Sequence, residues 1–227
     1  MGGGYSIRSQ PEARTEGGAL QERVLTAGRD LADADVAAIL VHGRGGSAEG
    51  MLDLAAAIGV EDIAWLAPQA EGGAWYPHSF LAAIESNEPW LSASLDLLGR
   101  LVADCETAGL PPERVALAGF SQGACLSVEY AARNARRYGG LVLFSGGLIG
   151  PPGKPREYAG FLAGTPVLLG CSDVDPHIPV ERVHETARVL SSMGANVDER
   201  IYPGLGHTVV DDEISAARAI LEGLLSE

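Results

Sequence analysis

The stretch "LVHGRGGSAEGML", Leu40 to Leu52, decides the fold. An apolar run, Val36 to Val41, ends in a glycine-rich turn, and a helix-like segment follows over 48–58. Gly43, Gly45 and Ala48 fit G-x-G-x-x-A, the pattern of a turn that cradles a dinucleotide pyrophosphate. The same residues suit a strand-to-helix turn whose backbone N–H faces a developing oxyanion. The first reading requires an acid for the ribose, and Glu61 or Asp62 has the spacing. The second requires a nucleophile elsewhere in the chain.

Working outward, short apolar runs alternate with longer helical patterns. "IAWLA" (63–67), "RVALAG" (114–119), "GLVLFSG" (140–146), "PVLLG" (166–170) and "VDERIY" (197–202) read as strands. Helices are predicted from Pro89 to Gly109, where Leu91, Leu95, Leu98 and Val102 keep helical spacing, and over 122–137, 179–193 and 211–225. This alternation predicts an α/β fold, a mostly parallel sheet with helices on both faces. "ERVLTAG" (22–28) is expected as an antiparallel edge strand. The irregular stretch 68–89 is long for a connection inside a compact domain, which marks it as functional. Ligands in such sheets bind beyond the carboxyl ends of the strands.

The 227 residues suffice for one domain with a substantial core, read as 19–227 after a flexible leader over 1–18. A formal charge of −14 argues against nucleic acid or an anionic membrane as a partner. No apolar run reaches membrane-spanning length, and the leader lacks the apolar core of a secretory signal. Cys105, Cys125 and Cys171 form no C-x-x-C pair and are expected as small buried hydrophobes, which suits the cytoplasm. No histidine pair has metal-ligand spacing, so no metal or cofactor is expected. Partners reduce to a small-molecule substrate, with a homodimer left open.

The chemistry-bearing residues follow the strands. "GFSQG", Gly119 to Gly123, is G-x-S-x-G, a nucleophile elbow between a strand and a helix. A serine hydroxyl needs a base, and the base an orienting acid, in the chain order Ser, Asp or Glu, His. "CSDVDPHIP" supplies Asp173 and Asp175 after strand 166–170, and "PGLGHT" supplies His207 after strand 197–202. Gly204 and Gly206 let that last loop fold tightly toward Ser121. The expected roles of the other histidines are modest. His42 supports the opening turn, His78 touches substrate, His177 sits on the rim, and His184 lies within a helix away from the chemistry.

Together these motifs resemble the phospholipase/carboxylesterase family of α/β-hydrolases, relatives of acyl-protein thioesterases and bacterial carboxylesterases. The resemblance covers about residues 36–225. It is carried by "HGRGG" for an H-G-x-G turn, "LPPERVALAGFSQGA", "DVDPHIP" for D-x-D-P-x-(V/I)-P, and "YPGLGHT". It implies an α/β-hydrolase fold without a large lid domain. It further implies Ser121 as nucleophile, Asp175 as orienting acid, His207 as base, and backbone N–H groups of Arg44 and Gln122 as the oxyanion hole. Arg44 stands where the thioesterases usually have leucine. The tryptophan of "GGAWY" resembles one that the family places in an acyl-pocket loop.

The hydrolase reading accounts for the glycine turn, the elbow and both later loops, whereas the nucleotide reading leaves three of these unexplained. The expected function is therefore a serine carboxylesterase acting on short-chain or aromatic esters, with thioesters as a further option. An acyl-protein thioesterase or lysophospholipase and a non-catalytic binding protein are the alternatives. Trp75, Tyr76, His78 and Phe80 are expected to wall the substrate pocket, the alternative for Trp75 and Tyr76 being that they pin the loop to the core. Asp173 is expected to cap its own turn. The Arg44 side chain is expected either to pair with Glu49 or to hold an acidic group of the substrate.

Overall fold

A computed structural model of the chain describes residues 8–9, 23–154 and 156–226. Its strands are β1 (Arg8–Ser9), β2 (Arg23–Gly28), β3 (Ala37–Val41), β4 (Ala64–Gln69), β5 (Val115–Phe120), β6 (Gly140–Phe144), β7 (Pro166–Ser172) and β8 (Asn196–Tyr202). Its α-helices are α1 (Ala48–Ile58), α2 (Trp90–Thr107), α3 (Gln122–Arg133), α4 (Val180–Ser192) and α5 (Asp211–Leu225). The strands form one sheet in the order β1-β2-β4-β3-β5-β6-β7-β8. From β4 to β8 all neighbours are parallel, while β1–β2 and β2–β4 are antiparallel.

The central strands are apolar throughout because both of their faces are covered. Ile39, Leu117, Leu141 and Leu169 face one core with Leu98 of α2, Val128 of α3 and Leu190 of α4. Leu40, Ala118, Phe144 and Leu168 face the other with Leu52 of α1 and Leu221 of α5. Period-2 alternation along each strand thus feeds two apolar layers at once.

Three expectations need correction. β2 is not the edge, since Arg8 and Ser9 pair outside it with Thr26 and Leu25. The remainder of the proposed 1–18 leader, and its boundary at 18/19, lie outside the described residues. The helix expected over 122–137 ends at Arg133, because Asn134 leaves helical geometry (φ −116°, ψ 49°) and its amide donates back to the Tyr130 carbonyl at 3.0 Å. The strand expected over 140–146 ends at Phe144, where Ser145 takes φ +50° and turns the chain.

The connection leaving β3 runs one way along the sheet, to β4, and the one leaving β5 runs the other way, to β6. That reversal opens a crevice at the carboxyl ends of β3 and β5, where open α/β sheets bind ligands. Gly43 to Gly46 and Ser121 emerge there. Glu61 and Asp62 instead precede β4, at the amino ends of the parallel strands, and Asp62 accepts a hydrogen bond from Arg29 Nε at 2.9 Å. They therefore lie at the opposite end of the sheet from the glycine turn that would hold the pyrophosphate. Among the described residues no helix is long and apolar enough to cross a membrane.

Candidate active site

Ser121 follows β5 and caps α3 with φ 55° and ψ −119°, a conformation that costs a non-glycine residue of order 1–3 kcal/mol. The surroundings hold it there. Its N–H donates to the Phe144 carbonyl at 2.9 Å, and its own carbonyl accepts the Cys125 N–H at 3.0 Å. The flanking glycines are steric requirements. A Cβ on Gly123 would stand 2.0 Å from the Val41 carbonyl oxygen, and one on Gly119 would stand 2.5 Å from the Gly123 carbonyl carbon. Only a G-x-S-x-G sequence lets β5, α3 and the end of β3 approach this closely.

Asp175 and His207 leave adjacent parallel strands. His207 Nδ1 lies 2.7 Å from Asp175 Oδ2, while Asp175 Oδ1 accepts the N–H groups of His177 (2.8 Å) and Ile178 (3.0 Å). Burial pushes the Asp175 pKa up, but the His207 hydrogen bond and the two backbone donors outweigh it and hold the carboxyl below its ordinary value. An ionised carboxylate only accepts, so the His207 proton sits on Nδ1 and leaves the Nε2 lone pair free. The ring packs between Phe120 and His177, with centroids 4.7 and 4.8 Å away. Asp173 does not cap its own turn as expected. Its Oδ1 accepts the N–H of Gly204 (2.7 Å), which has φ +71°, so it ties the histidine loop to the acid loop. Ser172 strengthens the same tie by donating to the Leu205 carbonyl.

The glycine turn is held from several sides. Gly45 N–H donates to Gly73 O and Gly46 N–H to Gly43 O. The N–H groups of Arg44 and Gln122 have no hydrogen-bond partner among the described residues. His42 braces the turn: its Nε2 accepts the Ala70 N–H at 3.0 Å, so its Nδ1 carries the proton and donates to Gly43 O at 2.7 Å. Burial holds the His42 pKa below its ordinary value, which keeps that tautomer neutral.

Ser121, Gln122, His207, Gly43, Arg44 and the 76–80 segment surround one cavity of about 350 Å³. Tyr76, His78 and Phe80 line it. Trp75 does not: it is buried, and its indole N–H donates to the His42 carbonyl at 2.8 Å. It pins the loop to the core. Arg44 does not pair with Glu49, which Arg23 takes at 2.6 Å; instead Arg44 Nη2 donates to the carbonyls of Tyr76 (2.7 Å) and His78 (2.9 Å). His184 is remote from this cavity and pairs with Glu199 at 2.7 Å. A second cavity of about 400 Å³ opens at the amino ends of β7 and β8, against Ile220 and Leu224, and contains none of these groups.

A family model described as Phospholipase/Carboxylesterase matches residues 29–225. The chain belongs to that family. It is 41% identical to a phospholipase/carboxylesterase from Dyadobacter fermentans, whose crystal structure superposes with a TM-score of 0.84 over 90% of this chain and 97% of that one. Esterase PE8 is 25% identical, with a TM-score of 0.73 over 88% of this chain and 97% of that one. Among curated proteins, "Acyl-protein thioesterase 1" of Gibberella zeae is 31% identical over 50% of this chain and 49% of the relative. "Probable carboxylesterase Os04g0669600" of Oryza sativa is 30% identical over 53% and 51%. The matched stretches span about half the length of these curated relatives. The fold is that of the α/β-hydrolases, without a large lid.

Within this family member, several site-building residues escape a reading by motif. The Gln122 side chain does two jobs at once, accepting the Trp75 N–H (3.0 Å) and donating to the Tyr76 carbonyl (2.9 Å). Ser94 on α2 donates to the Trp75 carbonyl at 2.8 Å, and Gln69 donates to the Ala70 carbonyl at 3.0 Å. Asn87 accepts the His78 N–H at 2.8 Å and donates to the Ser79 carbonyl at 3.1 Å. These side chains satisfy the backbone of the irregular 70–88 stretch where no ladder can. Their only sequence signal is polarity inside an otherwise apolar neighbourhood.

Proposed function

We propose that the protein is a serine carboxylesterase, hydrolysing short-chain or aromatic esters through Ser121, His207 and Asp175. The observation that carries this reading is the 2.7 Å contact from His207 Nδ1 to a buried Asp175, in a cavity shared with a serine on a strained elbow. In the proposed mechanism, His207 Nε2 takes the Ser121 proton as Oγ bonds to the acyl carbon. The tetrahedral oxyanion is received by the N–H groups of Arg44 and Gln122, with the positive end of the α3 dipole behind them. His207 then protonates the departing alkoxide or thiolate, giving an acyl-serine and a free alcohol or thiol. A water, deprotonated by His207, attacks the acyl carbon, and Ser121 leaves with the proton returned to its Oγ. Asp175 accepts the Nδ1 proton's hydrogen bond throughout and stabilises the imidazolium.

A cavity of about 350 Å³ walled by Tyr76 and Phe80 suits acyl groups of a few carbons or one ring better than long lipid chains. Thioesters belong to the same reaction class, and the naming of one relative as an acyl-protein thioesterase keeps them in the substrate panel. All three cysteines are free and buried, which fits a cytoplasmic setting.

The deciding experiment is Ser121→Ala with a panel of p-nitrophenyl esters and a fluorophosphonate label. Wild type is expected to label on Ser121 and to turn over acetate and butyrate esters. The variant should lose on the order of 10⁶ in kcat while folding normally. A folded variant that keeps a few per cent of turnover would sink the assignment. A wild type that binds esters but never labels would make this a binding protein.

A further inference from the structure

The charge balance of the cavity differs from that of the molecule as a whole. The chain carries 30 acidic against 16 basic side chains, a formal charge of −14, yet among the described residues no acidic side chain lines the cavity around Ser121. Among the described residues Arg44 is the one lysine or arginine that lines it, and His78 and His177 add ring nitrogens on the same walls. Asp175 stands behind His207, with both carboxylate oxygens engaged by His207, His177 and Ile178. Its carboxylate is paired with His207 and not with Arg44.

Arg44 is also held in place. Its Nη2 donates to two successive carbonyls of the lining segment, those of Tyr76 at 2.7 Å and His78 at 2.9 Å. That segment is fixed in turn, since Asn87, fully buried, bonds the His78 N–H and the Ser79 carbonyl. A guanidinium carries five N–H donors. The Nε and Nη1 donors of Arg44 have no partner among the described residues, and the nearby carboxylate that could have taken them, Glu49, is engaged by Arg23. Each of these free N–H groups can donate singly to a carboxylate oxygen, a charge-assisted hydrogen bond from a positioned cation.

Resting on the esterase reading above, we infer that Arg44 selects esters that carry a second, ionised carboxylate. The oxyanion forms on the reacting carbonyl at the Arg44 N–H, while the free carboxylate lies against the side chain of the same residue. One residue thus fixes both ends of a short acidic substrate, a half-ester of a dicarboxylic acid or the ester of a hydroxy acid. The arrangement also works against the long-range field of an acidic protein, which by itself repels anions from the cleft.

The test compares each acidic ester with its amide isostere, in which the carboxylate becomes a carbamoyl group. Monoethyl glutarate is set against ethyl 4-carbamoylbutyrate for a charge on the acyl side. Acetoxyacetate is set against acetoxyacetamide for a charge on the alcohol side. Wild type should favour the acid in at least one pair by on the order of tenfold in kcat/KM at low salt, declining as salt rises. Arg44→Gln should bring that ratio to about one or below, whatever it does to overall turnover, and Arg44→Lys should keep a several-fold preference. Neutral or amide preference in both pairs for wild type would overturn the inference, as would a ratio that survives Arg44→Gln. Equal losses in Arg44→Gln and Arg44→Lys would assign the effect to the loop clamp and overturn it too. Calorimetric binding of monoethyl glutarate to Ser121→Ala, with and without Arg44→Gln, separates this result from the esterase reading. A tenfold weaker Kd on losing Arg44 upholds the carboxylate site even if wild type hydrolyses nothing, whereas unchanged affinity refutes the site even if hydrolysis is confirmed.

Discussion

Glu213→Gln should stabilise the protein in mild alkali and not in acid. Glu213 sits in the first turn of α5, just beyond the histidine loop, and is 1% exposed. Its Oε2 accepts the Val210 N–H at 2.9 Å, while Oε1 is buried without a partner among the described residues. Gly170 makes room for it: a Cβ there would stand 2.0 Å from that oxygen. Burial, helped by Asp212, pushes the carboxyl from 4.5 in the unfolded chain up to about 7, against the opposing pull of the Val210 N–H and Arg200. The folded state therefore binds the proton more tightly than the unfolded state. The stability this contributes is present below about pH 4.5 and is lost as pH climbs through about 7, a total of roughly 3 kcal/mol. Glutamine keeps the acceptor for Val210 and removes the ionisation, but it places an amide N–H₂ where Oε1 has no partner, at a cost of about 1 kcal/mol at every pH. Urea unfolding at about pH 5 and about pH 8.5 isolates the effect, because the amide cost cancels in the comparison. The variant should gain roughly 2 to 3 kcal/mol on wild type between the two conditions. A swing below about 1 kcal/mol would show that Glu213 is not charged at the expense of the fold, and the reasoning from its burial would fail.

Gly123→Ala should cost about 3 kcal/mol or more of stability by thermal melting, because its Cβ meets a backbone carbonyl, Val41 O, rather than a yielding side chain. Asp175→Asn should lower kcat on the order of 10⁴, whereas Asp173→Asn keeps an acceptor for the Gly204 N–H and should stay within about tenfold of wild type; the reverse order in steady-state assays would exchange the two roles. Trp75→Phe, which deletes the donor to His42 O, should cost about 1–2 kcal/mol while leaving the ranking of acyl chain lengths unchanged. A reordered ranking would return Trp75 to the pocket wall.

What could be read in the sequence was whatever depends on a single period or a steric demand. Val36 to Val41 had to be a strand buried on both faces, because every residue in it is apolar and a glycine turn follows. Gly119 and Gly123 had to flank Ser121, because no side chain fits at either place. Asp175 and His207 were findable because each follows a strand of a parallel sheet, where the topology collects them. The 70–88 stretch was different. It has no repeat, so nothing in it says which aromatic faces the cavity and which faces the core. Trp75 and Tyr76 are neighbours with the same local signal, yet one is tied down by the His42 carbonyl and the other borders the cavity. That choice is made by partners distant in the chain: Gln122, Ser94 and His42 satisfy the loop's backbone and ring donors, and the loop takes the one path that lets them. Arg44 belongs to the same logic. Glu49 was the nearer carboxylate in sequence, but helix α1 turns it toward Arg23 of β2. The guanidinium is thereby left to the loop carbonyls and to whatever enters the cavity. Sequence spacing ranks partners by local distance, and a site built where five strands end is assembled by distances that spacing does not contain.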